Sequence, residues 1–220
     1  MKFLLNSYPK SGSQTFAQTI RRAIREIRNG NHTELPELED WVICQYDPVV
    51  NLGFFGNDVV QISVIKNPSD AITINTERHF KGFFGKQINN VALVDKDSDI
   101  LAGKKDLTDF DKEFIDHQIE RYNSYINCLD KNIDNIFCFT NEQTRKQTSL
   151  CVKNALVFAG VDYSVLPQQA FQTQIVDTVP YHPFSAVIRE YVESHKDFGL
   201  NYRSVMDKIR SKQEKYPLKF

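Results

Sequence analysis

Short apolar runs alternate along this chain with longer stretches in which apolar residues recur at helical spacing. Lys2 to Ser7 carries Phe3, Leu4 and Leu5 and reads as a strand that begins almost at the first residue. It runs into Tyr8-Pro9-Lys10-Ser11-Gly12-Ser13-Gln14-Thr15, a turn made of Pro, Gly and small hydroxyls. Phe16, Ile20, Ala23, Ile24 and Ile27 then fall on one helical face, with Arg21, Arg22, Arg25 and Arg28 largely on others, and Gly30-Asn31 stops the helix. Trp41 to Tyr46 predicts a second strand, ended by Asp47-Pro48, and the β-branched run Val59 to Ile65 a third. The next helix starts at Lys66-Asn67-Pro68-Ser69-Asp70: Asn67 suits the cap, Pro68 the first helical position, and Asp70 the positive helix end.

Residues 80 to 111, with Gly82, Gly85, Gly103, Asn89-Asn90 and a dense run of charges, read as an irregular surface excursion. Helical periodicity returns over Phe114 to Leu129, a fourth buried strand follows over Asn135 to Thr140, and Gln143 to Ala159 reads as a helix closed by Gly160. Phe184 to His195 and Tyr202 to Lys215 are further helical segments. Strands separated by helices predict an α/β fold, a central parallel sheet flanked by helices, in a single domain over residues 1–220. Ligands of such sheets bind beyond the carboxyl ends of the strands, where Tyr8 to Thr15, Tyr46 to Pro48 and Lys66 to Asp70 all fall.

The 27 Lys and Arg against 28 Asp and Glu lack the basic excess of a dedicated nucleic-acid binder, so no nucleic-acid partner is expected. The longest apolar runs, such as Ala155 to Val161, fall far short of a bilayer span, and the N-terminus does not read as a signal peptide. A cytoplasmic protein without a membrane partner is the expectation. Cys44, Cys128, Cys138 and Cys151 form no CxxC pair and no metal-ligand spacing, which predicts buried free thiols and no metal site.

A turn of small residues between a buried strand and a helix aims backbone N–H groups at one point, and the helix N-terminus adds partial positive charge. Lys10 supplies a full charge, and the hydroxyls of Ser11, Ser13 and Thr15 supply donors. A phosphate or sulfate fits that inventory, as does an ordinary polar turn. Neither GxxxxGK[ST] nor GxGxxG is present, which lowers the weight of kinase and dinucleotide-binding readings.

Tyr8 to Thr15 resembles the 5′-phosphosulfate-binding loop of the sulfotransferase family, usually written YPKSGTTW, and Tyr8 to Gly12 match it without interruption. Val64-Ile65-Lys66-Asn67-Pro68-Ser69-Asp70 is similar to the family's (V/I)xRNPxD segment, which binds the donor's 3′-phosphate, and Asn135 to Gly160 more weakly resembles the strand and helix that follow. The resemblance implies a P-loop-like nucleotide-binding fold. It also implies transfer of a sulfuryl group from 3′-phosphoadenosine 5′-phosphosulfate to a hydroxyl or amine of a small-molecule or carbohydrate acceptor, without a metal. Lys10 would stabilise the transferring charge, Ser11, Gly12, Ser13, Gln14 and Thr15 would hold the 5′-phosphosulfate, and Lys66 the 3′-phosphate.

The chain also departs from that pattern. Lys66 replaces an Arg and loses its bidentate fork, and Ile74 replaces the 3′-phosphate Ser, leaving Thr73 or Asn75 as substitutes. Thr15 replaces an aromatic residue, and the C-terminal RKGxxG segment has no counterpart beyond Lys86 or Lys212 as electrostatic substitutes. The family's catalytic His is absent from Gln45-Tyr46-Asp47-Pro48, where Asp47 becomes the first candidate base. Glu34 and Glu37 come next, then His32 and His79. The sequence leaves two other functions open, a Mg²⁺-dependent nucleotide phosphotransferase and a non-catalytic nucleotide-binding module derived from a sulfotransferase.

Overall fold

The computed structural model describes residues 2–29, 42–45, 59–88, 106–162 and 183–216. Four strands, β1 (Lys2–Asn6), β2 (Val42–Gln45), β3 (Val59–Ile65) and β4 (Ile136–Thr140), form an entirely parallel sheet in the order β2-β1-β3-β4. Seven helices are described: α1 (Ser13–Asn29), α2 (Pro68–Ile88), α3 (Asp109–Asn132), α4 (Asn141–Lys146), α5 (Thr148–Phe158), α6 (Pro183–Ser194) and α7 (Tyr202–Gln213). The α/β architecture expected from the alternation of strands and helices is present.

Period-two alternation along the strands splits the core into two layers. On one face Phe3 and Leu5 of β1, Ile62 and Val64 of β3, and Phe137 and Phe139 of β4 pack against α1 and α5 through Phe16, Ile20, Ile24, Val152 and Leu156. On the other, Ile65, Ile136 and Cys138 meet α2, α3, α6 and α7 through Ile72, Ile119, Tyr122, Ile188 and Val205. Cys138 and Cys151 are buried free thiols that burial pushes up to about 12, and Cys128 is a half-buried free thiol. No helix among the described residues is long and apolar enough to cross a membrane.

Three boundaries differ from the sequence reading. α2 continues to Ile88 instead of ending near residue 80, because Phe80 is buried against Phe114 and Phe184. α3 begins at Asp109, inside the supposed excursion, because Thr108 and Asp111 form a reciprocal capping box. The segment 143–159 is two helices, since Gln147 leaves helical geometry (φ −129°, ψ 40°) between α4 and α5. The expected caps are present: Asn67 Oδ1 accepts the Ser69 N–H at 2.9 Å, and Gly160 closes α5 at φ +86°.

Lys212 has a structural role and does not substitute at a phosphate site. Its Nζ donates to the carbonyls of Ile133 (2.6 Å), Asp134 (2.8 Å) and Ile136 (2.9 Å), at the amino end of β4 and so opposite the ligand edge. Three carbonyls there converge on one ammonium. Lys212→Ala is therefore expected to lower unfolding free energy by about 1.5–3 kcal/mol, the range for hydrogen bonds to a charged group. Urea denaturation measures this, and an unchanged midpoint would contradict it.

Candidate functional site

The strand order reverses between β1 and β3, since the chain leaves β1 over one face through α1 and leaves β3 over the other through α2. Main-chain pairing between the two strands ends at Leu5 and Ile62. Beyond that pair side chains take over: Ser63 Oγ donates to the Asn6 carbonyl at 2.7 Å, and Ser7 Oγ accepts the Val64 N–H at 2.9 Å. The Tyr125 hydroxyl lies 2.6 Å from Ser63 Oγ and donates to it, because Ser63's own proton is committed to Asn6.

The turn after β1 is tight. Lys10 sits at φ +65° and Gly12 at φ +89°, with Ser11 between them outside the positive region, and such alternation swings successive N–H groups toward one side. The Gly12 carbonyl accepts the Phe16 N–H at 3.1 Å, so Gly12 is the N-cap of α1 and brings no side chain to cover the first-turn amides. That turn also contains no acidic residue. Asn141, the first residue of α4, donates from Nδ2 to the Ser11 carbonyl at 2.9 Å, and a Cβ at position 12 would collide with that same Nδ2. Ser11 is fully buried, and its hydroxyl has no partner among the described residues. Ser13 is buried at the start of α1, while Gln14 and Thr15 are exposed.

Tyr8 anchors the turn to the helical layer. Its buried ring packs edge-on against Tyr122, with centroids 5.0 Å apart, and its hydroxyl donates to Gln118 Oε1 at 3.2 Å. The same oxygen accepts Asn75 Nδ2 at 2.8 Å, so α2 and α3 meet the turn at one acceptor. Burial raises the Tyr8 pKa strongly and keeps the phenol a neutral donor.

Two groups of cations flank the turn. Lys66 is half-buried, and its backbone carbonyl is held by the Tyr122 hydroxyl at 2.7 Å. Burial lowers its pKa, Asp70 raises it, and the Arg145 and Arg189 charges lower it again. Arg189 is itself paired with Asp70, whereas Arg145 is exposed on α4. A second group comprises the cations Lys10, Arg78 and Arg121 with the His79 imidazole. Desolvation and then Arg78 lower the Lys10 pKa, while desolvation, Arg121 and Lys10 lower that of His79.

Lys10, Ser11, Gly12, Ser13 and Lys66 lie beyond the carboxyl ends of the adjacent parallel strands β1 and β3. The substitutes for Ile74 fare differently: Asn75 is committed to Gln118, and Thr73 is fully buried with a hydroxyl lacking a partner among the described residues. Asp47, Glu34, Glu37 and His32, and the Lys86 side chain, lie outside the described residues. Sequence reasoning missed Asn141, Arg145, Arg78 and Arg121. The available signal for the first two was their place directly after a fourth parallel strand, whose carboxyl end must share the ligand edge.

Gly12→Ala is expected to cost about 1–3 kcal/mol, the range for a residue held in a sparsely populated backbone region. Adding Asn141→Ala should restore only part of it, because the collision disappears while the φ of +89° remains. Full recovery in the double variant, measured by denaturant unfolding, would assign the cost to the collision alone.

Compared with known proteins, the chain matches no protein-family model, and no curated protein shows significant similarity to it.

Proposed function

We propose that the chain transfers a sulfuryl group from 3′-phosphoadenosine 5′-phosphosulfate to a hydroxyl or amine of a small-molecule or carbohydrate acceptor, on a P-loop-like nucleotide-binding fold. One observation carries the reading. The two segments that resemble the family's donor-binding signatures leave adjacent parallel strands, β1 and β3, where the strand order reverses, and each lies beside its own cations.

In this reading the alternating backbone of Lys10 to Gly12 and the open first turn of α1 cradle the 5′-phosphosulfate. The buried Ser11 hydroxyl, which has no partner among the described residues, meets that anion once the turn opens slightly. Sulfuryl transfer proceeds in line and moves negative charge onto the leaving 5′-phosphate, where the Lys10 ammonium stabilises it. Lys66 takes the 3′-phosphate together with Arg145, which supplies the fork that a lysine lacks. Thr73 is too deeply buried to share that role without a local rearrangement.

The test is binding of adenosine 3′,5′-bisphosphate by calorimetry together with transfer of labelled sulfate to a panel of phenols, amines and sugars. Lys10→Ala is expected to lower turnover by about 10²–10³, the loss for one transition-state donor. Lys66→Ala should weaken the bisphosphate by about 1.5–3 kcal/mol and leave the 5′-monophosphate unaffected, whereas Lys66→Arg keeps or improves affinity. Equal losses for both nucleotides would remove Lys66 from the 3′ site. Nucleotide binding without turnover on any acceptor would make the chain a binding module, and phosphoryl transfer abolished by a chelator would make it a phosphotransferase.

A further inference from the structure

We propose that His79 takes the acceptor's proton in this transfer, an assignment that rests on the sulfuryl-transfer reading and replaces the carboxylate base expected after β2.

The register of two helices brings His79 to the turn. Asn75 and Gln118 are joined by a 2.8 Å hydrogen bond at the Tyr8 hydroxyl, which fixes α2 against α3 beside β1's turn. One helical turn along α2 from Asn75 is His79, and one turn along α3 from Gln118 are Phe114 on one side and Arg121 on the other. The contacts agree: the His79 ring lies 5.3 Å from that of Phe114, and the Arg121 and Lys10 charges both act on it. Lys10 in turn feels Arg78. His79 is exposed, so a bound acceptor can reach it. Among the described residues it is the one histidine so placed: His117 sits with Glu120 at 4.0 Å, and His195 lies by Asp116 at 3.6 Å.

The surrounding charges suit a proton acceptor. Arg121 on α3 and Lys10 on the turn face the imidazole. On α2 itself Arg78 is cationic, and Glu77 accepts from Ser185 Oγ of α6. Desolvation and the two cations hold the His79 pKa below its ordinary 6.5, so the ring is neutral and has a free lone pair at pH 7. In the step itself, a lone pair on the acceptor oxygen or nitrogen forms the new bond to sulfur. The bond from sulfur to the bridging 5′-phosphate oxygen breaks with its electron pair left on the phosphate, and the acceptor's proton passes to an imidazole nitrogen. His79 later returns that proton to water. A bound dianionic phosphate beside Lys10 offsets the repulsion on the ring, so donor binding raises the basicity of His79 before transfer.

Ring-labelled histidine NMR reads this directly on the intact chain, with His79→Gln fixing the assignment. In the free protein His79 is expected to titrate below about 6.5, and saturating adenosine 3′,5′-bisphosphate should move its midpoint upward. The transfer rate should rise with pH through the midpoint found in the nucleotide complex. His79→Ala should lower the rate by about 10²–10⁴ and flatten that profile, while nucleotide affinity is unchanged above both midpoints, where the ring is neutral with and without nucleotide. A His79 midpoint unmoved by nucleotide, with the amides of the turn shifting, overturns the assignment and leaves the donor site standing. A rate flat between about pH 6 and 8 in the unaltered protein also overturns it, in favour of a carboxylate. If the bisphosphate shifts neither His79 nor the turn, the donor reading itself fails.

Discussion

Everything at the candidate site depends on how β1 and β3 part. Two parallel strands whose chains leave over opposite faces open a gap at their carboxyl ends, and the polar backbone groups bordering it lose their ladder partners. Ser7 and Ser63 supply substitutes for the Asn6 carbonyl and the Val64 N–H, and Tyr125 completes the bond set from α3. These residues are buried to within about two per cent of full coverage. The gap is therefore a dry, rigid seam with fixed hydrogen bonds, and the turn that leaves it starts from a defined position.

That rigidity lets the turn hold an unfavourable conformation. Lys10 lies in the left-handed region, where a residue with a Cβ pays roughly 1–3 kcal/mol, and it does so a few residues from a buried tyrosine clamped by α2 and α3. Asn141 fixes the turn from the far side through the Ser11 carbonyl. Strain, a glycine N-cap and close approach by a neighbouring side chain coincide at Lys10 to Gly12, the combination expected where backbone amides are kept open for an anion.

Charge has been gathered there against the average. The chain carries a net charge of −1, yet Lys10, Arg78 and Arg121 collect on one side of the turn and Lys66, Arg145 and Arg189 on the other. The second group includes a carboxylate, Asp70, which is paired with Arg189. Burial lowers the proton affinity of Lys10, Lys66 and His79, and the neighbouring like charges lower it further.

Periodicity and turn chemistry determined much of this protein from sequence alone. The four strands, the Asn67-Pro68-Asp70 helix start, the Gly160 closure and the tight turn within Tyr8 to Thr15 are local properties, set by alternation, capping and glycine within a few residues. The capping box at Thr108 was equally local and was hidden only by the charged stretch around it. Tertiary structure alone decided the strand order, and with it that the turns after β1 and β3 leave one edge of the sheet side by side. It also decided that Asn141 and Arg145 join them from β4, that the Lys10 and Arg121 charges act on His79, and that Lys212 serves the opposite end of the sheet. The physical reason is distance along the chain: a lone arginine or histidine on a helix has the same local pattern whether it faces water or a site, and only the packing of α2, α3 and α4 around the sheet distinguishes the two.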